Sequence, residues 1–118
     1  MEAHDIRATL EGLPEMEFHQ IAPFNRGHVG VFRCSSGTSP WERHPDDEEL
    51  LQVIDGDVDI EVLTDDGPVV TNVGAGSLFV VPRGLWHRHR VGTRLTELYL
   101  TPGPSDMSTA DDPRTEST

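Results

Sequence analysis

Between residues 16 and 101 the chain alternates short apolar runs with Gly, Pro or Asp-Gly breaks, at intervals of roughly eight to twelve residues, the rhythm of an all-β sandwich or barrel. The sharpest strand signal is Asp57 to Leu63, where Val58, Ile60 and Val62 alternate with Asp57, Asp59 and Glu61. A period of two gives one buried face and one solvated face. The preceding run, Glu49 to Ile54, is separated from it by Asp55-Gly56. That dipeptide favours a two-residue hairpin turn because Gly accepts positive φ, so a hairpin is predicted there and a second at Asp65-Asp66-Gly67-Pro68. Further strands are predicted at Met16 to Ile21, His28 to Cys34, Val69 to Val73, Ser77 to Val81, Trp86 to Val91 and Leu95 to Thr101.

The two ends differ from this middle. Ile6, Leu10 and Leu13 fall at i, i+4 and i+7, after Asp5 as a candidate N-cap and around the stop Gly12-Leu13-Pro14, which predicts a short docking helix. Residues 102–118 carry only Met107 and Ala110 as apolar side chains among Ser, Thr, Asp and Pro, and are predicted to be a disordered acidic tail. The expected organisation is an N-terminal segment at 1–15, one β-barrel domain at 16–101, and the tail at 102–118.

Composition narrows the partners. The 118 residues hold 21 Asp and Glu against nine basic side chains, all of them arginine, for a formal charge of -12. Nothing in that balance supplies the positive field that nucleic acids or anionic membranes need, so neither is expected as a partner. The absence of lysine removes Schiff-base chemistry. No apolar run of seven or more opens the chain, so neither signal peptide nor anchor is predicted, and a cytoplasmic location is expected. The single Cys34 cannot pair within the chain, which fits a reducing compartment, and it reads as an inert buried thiol.

Candidate chemistry concentrates in two segments, Trp41 to Glu49 (WERHPDDEE) and Pro82 to Arg90 (PRGLWHRHR), which hold three of the six histidines. Residues two apart in a strand share a face, which pairs Glu42 with His44, and His87 with His89. A turn at Pro45-Asp46-Asp47 would return Glu49 towards His44. Imidazole and carboxylate donors without sulfur suit Fe, Mn, Ni, Co, Cu or Zn, and an incomplete shell of them leaves room for substrate or dioxygen. The residues alone also allow a solvated acidic turn for WERHPDDEE and a charge-blunted strand edge for HRHR. Arg88 and Arg90 have the opposite parity to His87 and should face outwards if His87 faces in. Trp41, Phe79, Trp86 and Tyr99 read as core or interface aromatics, and His4, His19 and His28 as surface or locally bonded side chains.

The two segments and the interval between them resemble the cupin superfamily, in the manner of small bacterial single-domain members. Gly37 to Gly56 is similar to the first cupin motif, with His44, Glu49 and Gly56 at matching positions, and Gly76 to His87 is similar to the second through its histidine, with Pro82 and Gly84 in its internal turn. The resemblance implies an all-β cupin double-stranded β-helix, or jelly-roll barrel, preceded by a short N-terminal helix or extended segment. It also implies a divalent transition metal held by His44, Glu49 and His87. Two positions depart from the family pattern. Glu42 stands where the first histidine of the His-x-His pair would be, so it either completes the metal shell or acts as a base beside it, and Val91 stands where an asparagine often follows. Glu48 competes with Glu49, and only the spacing to Gly56 favours Glu49. His89 reads equally as a partner to the site, a substitute ligand or a wall histidine.

A metal-dependent enzyme of the oxygenase type, a dioxygenase acting on a small organic substrate at the metal, is the function this resemblance implies. The alternatives are a non-enzymatic small-ligand or metal-binding module, or a metal-free isomerase using His87 and a carboxylate as acid and base. A homodimer is expected, formed through a sheet edge such as Met16 to Ile21 and the N-terminal segment.

Overall fold

The computed structural model describes residues 1–115. A short helix α1 (Ile6–Glu11) leads into ten strands: β1 (Phe18–Phe24), β2 (Gly27–Cys34), β3 (Gly37–Thr38), β4 (Trp41–Arg43), β5 (Glu49–Thr64), β6 (Gly67–Gly74), β7 (Leu78–Val81), β8 (His87–Val91), β9 (Leu95–Thr101) and β10 (Asp106–Ser108). All pairings are antiparallel. One sheet runs β1-β2-β9-β5-β7, and the other is built on β6-β5-β8, with β3 and β4 pairing on β8 and β10 on β4. The result is the jelly-roll barrel expected of the all-β pattern.

β5 joins the two sheets, and it corrects the hairpin predicted at Asp55-Gly56. The strand is continuous for 16 residues. Its register against β9 slips between Val53 and Asp55, resumes for Asp55 and Gly56, and from Asp57 onwards the chain pairs with β6 and then β8 instead. The positive φ of Gly56, +78°, serves a bend inside a strand rather than a turn between two strands. A Cβ there would lie 2.1 Å from the Arg94 carbonyl oxygen, so the bend also needs glycine for close approach. The second predicted turn, between β5 and β6, is a hairpin with Thr64 paired to Gly67.

The core follows the alternation. Leu51, Val53, Val58, Ile60 and Val62 from β5 pack with Phe32, Cys34, Val73, Val81, Val91, Leu95 and Tyr99 between the sheets. Each such aliphatic side chain contributes roughly 1.5–3 kcal/mol by leaving water. A second cluster, Trp41, Leu63 and Trp86, is capped by arginines: the Arg88 guanidinium lies 4.3 Å from the Trp41 ring centre and that of Arg43 4.6 Å from Trp86. At the N-terminus Asp5 caps α1 by accepting from the Ala8 amide at 3.0 Å, and buried Leu13 is held through its carbonyl by Arg33.

Residues 102–115 depart from the disorder expected of the tail. β10 pairs with β4, Ser108 and Pro113 are buried, and the Trp41 indole donates to the Asp111 carbonyl at 3.2 Å. Arg43 reaches Asp106 with Nε at 3.0 Å and Nη2 at 2.8 Å. The composition counts apolar side chains, whereas this segment is held by backbone ladder bonds and polar contacts to an edge strand. Residues 116–118 lie outside the described residues. Among the described residues no helix is long and apolar enough to cross a membrane.

Candidate metal centre

Glu42 lies on β4, His44 just beyond it, Glu49 opens β5 and His87 opens β8. β8 lies between β4 and β5, with His87 opposite Glu42 on one side and Val62 on the other, so register sets Glu42 beside His87, while Glu49, paired with Val81 in the other sheet, meets them across the barrel. The turn of the second motif closes on the first, because the Gly84 amide donates to the His44 carbonyl at 2.9 Å, and Gly84 has φ +75°. Glu42, His44, Glu49 and His87 thereby place one donor atom each within 4.8 Å of all the others.

The individual spacings are tighter. His44 Nε2 is 3.0 Å from Glu42 Oε1 and 3.3 Å from Glu49 Oε1, and His87 Nε2 is 3.6 Å and 3.1 Å from the same two oxygens. Ligands about 2.1 Å from a shared ion are separated by roughly 3.0–3.4 Å, a range that three of these four spacings match. Two of the four have their outer atoms engaged. Ser105 Oγ meets His44 Nδ1 at 2.9 Å, and the Thr101 hydroxyl donates to Glu49 Oε2. Despite these short spacings, buried His44 Nε2 and Glu49 Oε1 make no well-aligned hydrogen bond among the described residues, and neither does the far nitrogen of His87, Nδ1. Such a pattern fixes ligand orientation from outside and leaves the inner atoms to converge.

The electrostatics are those of a site built for positive charge. Burial disfavours a charged imidazole, yet the close carboxylates of Glu42 and Glu49 override it and raise His44 to about 10 and His87 to about 9. Burial likewise works against ionising Glu49 and Glu42, and the two imidazoles beside them override it and hold each carboxyl below its ordinary value. Protons on the two imidazoles balance the carboxylates where a cation would otherwise do so.

The neighbouring candidates separate clearly. Glu48 is exposed and outside the cluster. His89 is buried and turned to Glu97, its Nε2 2.8 Å and 3.1 Å from the two carboxylate oxygens. Arg88 and Arg90 face outwards, both bonding Glu61 Oε1, at 2.9 Å and 2.7 Å. Cys34 is buried, and burial, then Glu15 and Glu97, push its thiol up, which suits an inert core residue. Tyr99 is buried among the core side chains, with burial and the surrounding carboxylates raising its phenol to about 12. Thr101, Ser105 and Glu97 went unmarked in the sequence reading. Thr101 and Glu97 share strand parity with Leu95 and Tyr99, so polar residues at inward positions were a readable signal, whereas Ser105 had none.

A cavity of about 30 Å³ lies against the cluster, lined by Phe18, Ser39, Pro40, Glu42, His87, His89 and Met107. Glu42 is the cluster's most open member, with 26% of its side chain exposed.

A double-stranded β-barrel enclosing a histidine and carboxylate cluster defines the class. The family model described as "Cupin domain" matches residues 34–99, more than half of the chain, and the chain belongs to the cupin-domain family. Among solved structures, a cupin-2 domain containing protein from Shewanella frigidimarina is similar at 21% identity, over 82% of this chain and 89% of that one, with a TM-score of 0.66. Hydroquinone 1,2-dioxygenase PnpCD, in complex with Cd2+ and 4-hydroxybenzonitrile, is similar at 19% identity, over 85% of this chain and 72% of that one, with a TM-score of 0.69. An oxalate oxidase is similar at 25% identity, over 72% of this chain and 43% of that one, with a TM-score of 0.56. The first two likenesses concern the fold alone. A comparison with curated protein sequences gave no match.

Proposed function

We propose that this chain is a metal-dependent cupin enzyme of the oxygenase type, acting on a small organic substrate at a divalent transition metal inside the barrel. The observation that carries the reading is the convergence of four donors, two of which, Glu49 and His44, are held at their outer atoms by Thr101 and Ser105. His44, Glu49 and His87 are the buried ligands. Glu42, the most open of the four, is the fourth donor and the group placed to hold a proton beside the cavity. When bound, such an ion supplies Lewis-acid and, for iron or manganese, redox chemistry to a substrate and dioxygen. The oxalate oxidase among the similar structures supports the reaction class without selecting the substrate.

The protein's own part is to position and exclude. Ser105 and Thr101 keep His44 and Glu49 from turning, and Phe18 and Met107 form apolar parts of the cavity wall. Its volume of about 30 Å³ admits only one or two water-sized groups. That size favours a second reading, a module that binds metal or a very small ligand without turnover. Substrate-dependent oxygen uptake by tag-free, metal-reconstituted protein separates the two: uptake with any of a panel of small phenols and hydroxy acids, abolished in His87→Ala, supports the enzyme, and metal binding without uptake across the panel favours the module.

A further inference from the structure

β1 is the last strand of one sheet and β10 the last of the other, and one side chain from each lines the cavity beside the cluster. Phe18 opens β1, with its ring stacked on Phe32 at 4.5 Å between centres and edge-on to Tyr99 at 5.4 Å. Met107 is the middle residue of β10, opposite Glu42 in register. Both side chains wall the space of about 30 Å³ next to Glu42 and His87, yet the two residues are 56% and 57% exposed. Each therefore reaches from the cavity to solvent, and together they form its mouth.

What the mouth offers a ligand follows from how its polar groups are already used. Ser39 Oγ donates to the Pro40 carbonyl at 3.0 Å and accepts from the His89 amide at 2.9 Å. Any charge on His89 is matched by Glu97, 2.8 Å from its Nε2. The charged group that opens to solvent is the carboxylate of Glu42, and the outer wall is the ring of Phe18, the ring of Pro40 and the thioether of Met107. Among the described residues no arginine lines this cavity, and the chain has no lysine. The arginines of the neighbouring strands are committed elsewhere, Arg43 to Asp106 at 2.8 Å, and Arg88 and Arg90 to Glu61 at 2.9 Å and 2.7 Å. A carboxylate recognised beside the metal needs such a cation to bond, and none is placed for it.

We infer that this mouth selects an uncharged molecule with an apolar or aromatic body and one small polar head, and turns away organic carboxylates. The inference rests on the metal-site reading above and names the substrate class for it. A volume of about 30 Å³ takes the head alone, a hydroxyl or a carbonyl, while the body stays against Phe18 and Met107. Aromatic and thioether surfaces suit such a body. A bound divalent ion does not change the preference, because its two charges are matched by Glu42 and Glu49 while His44 and His87 would hold it as neutral rings. A carboxylate then meets a site without net positive charge, in a chain of formal charge -12, with Glu42 at the entrance. Leaving water also costs a charged head more than a neutral one.

Benzyl alcohol and benzoate are close in size and differ in charge. Their binding to the whole chain loaded with zinc, followed by calorimetry and by NMR of isotope-labelled methionine methyl groups, tests the proposal apart from turnover, since zinc has no redox chemistry. Benzyl alcohol should bind at least about tenfold more tightly than benzoate. It should also move the Met107 methyl resonance, assigned through Met107→Leu, more than that of Met1. Met107→Ala should weaken the alcohol about fivefold or more by removing apolar contact, with unchanged circular dichroism, whereas Met107→Leu should retain it. Benzoate binding as tightly as benzyl alcohol, neither probe binding, or Met107→Ala leaving the alcohol's affinity unchanged would overturn the proposal. A chain that takes up no zinc in elemental analysis yet still prefers the alcohol at Met107 supports the mouth and defeats the metal reading, so the two failures are told apart.

Discussion

Two groups of buried histidine and glutamate lie side by side in the barrel, with the His87 and His89 ring centres 6.2 Å apart, and they are built in opposite ways. His89 and Glu97 close on each other: one ring nitrogen meets both carboxylate oxygens. In the other group, Thr101 and Ser105 bind the far atoms of Glu49 and His44, leaving the near atoms to converge with those of Glu42 and His87. A pair that satisfies itself stiffens a wall. A group whose near atoms converge, two of its members held from behind, offers a donor set that could hold a cation.

Breaking each group should therefore have different consequences. The largest effect is expected from His44→Ala and His87→Ala, which should each reduce bound metal to background in elemental analysis while leaving the circular dichroism of the barrel in place. Glu97→Ala should do the reverse. Leaving His89 without its buried partner costs about 3–5 kcal/mol, or a fall in Tm of roughly 10 °C or more, with metal content retained.

A smaller effect is expected from the groups behind the ligands. Thr101→Val and Ser105→Ala should each weaken metal affinity roughly 10–100-fold in chelator-competition titrations, the usual cost of losing such a partner. Unchanged affinity in both would reduce the Thr101 and Ser105 contacts to incidental neighbours.

The mildest test is pH. In the metal-free protein, folded-state values raised above 6.5, to about 10 for His44 and about 9 for His87, mean that the stability these residues contribute is full below 6.5 and is lost as pH rises through those values. Glu49 and Glu42 are lowered from 4.5, so their contribution is full above 4.5 and is lost on acidification below it. Thermal melts of the metal-free protein should thus show this contribution at its maximum between pH 4.5 and 6.5. Added metal should reverse the alkaline trend, because it binds deprotonated imidazoles and its stabilisation grows with pH. Parallel pH profiles with and without metal would count against the cluster as the binding site.

What could be read from the sequence depended on whether a residue's environment is local. Asp57 to Leu63 was legible because acids on one face contrast with valines and isoleucine on the other. Glu49 to Ile54 has apolar residues on both faces, so its continuity with the next run was hidden, and Gly56 fits a turn as well as a bend. β10 was invisible because its strand rests on pairing with β4, to which composition is blind. His44, Glu49 and His87 were reached through motif spacing, and Glu42 through its place in that spacing. Ser105 sits 61 residues from His44, in a segment of Pro, Ser and Asp, and only the fold brings it to the imidazole.

The most direct test of the account is anomalous scattering from crystals of tag-free protein reconstituted with a divalent transition metal. A single peak bounded by His44 Nε2, Glu49 Oε1 and His87 Nε2, with Glu42 as the fourth neighbour and occupancy near about one ion per chain, is the predicted result. A barrel interior without a peak, or a peak at other residues, would contradict it.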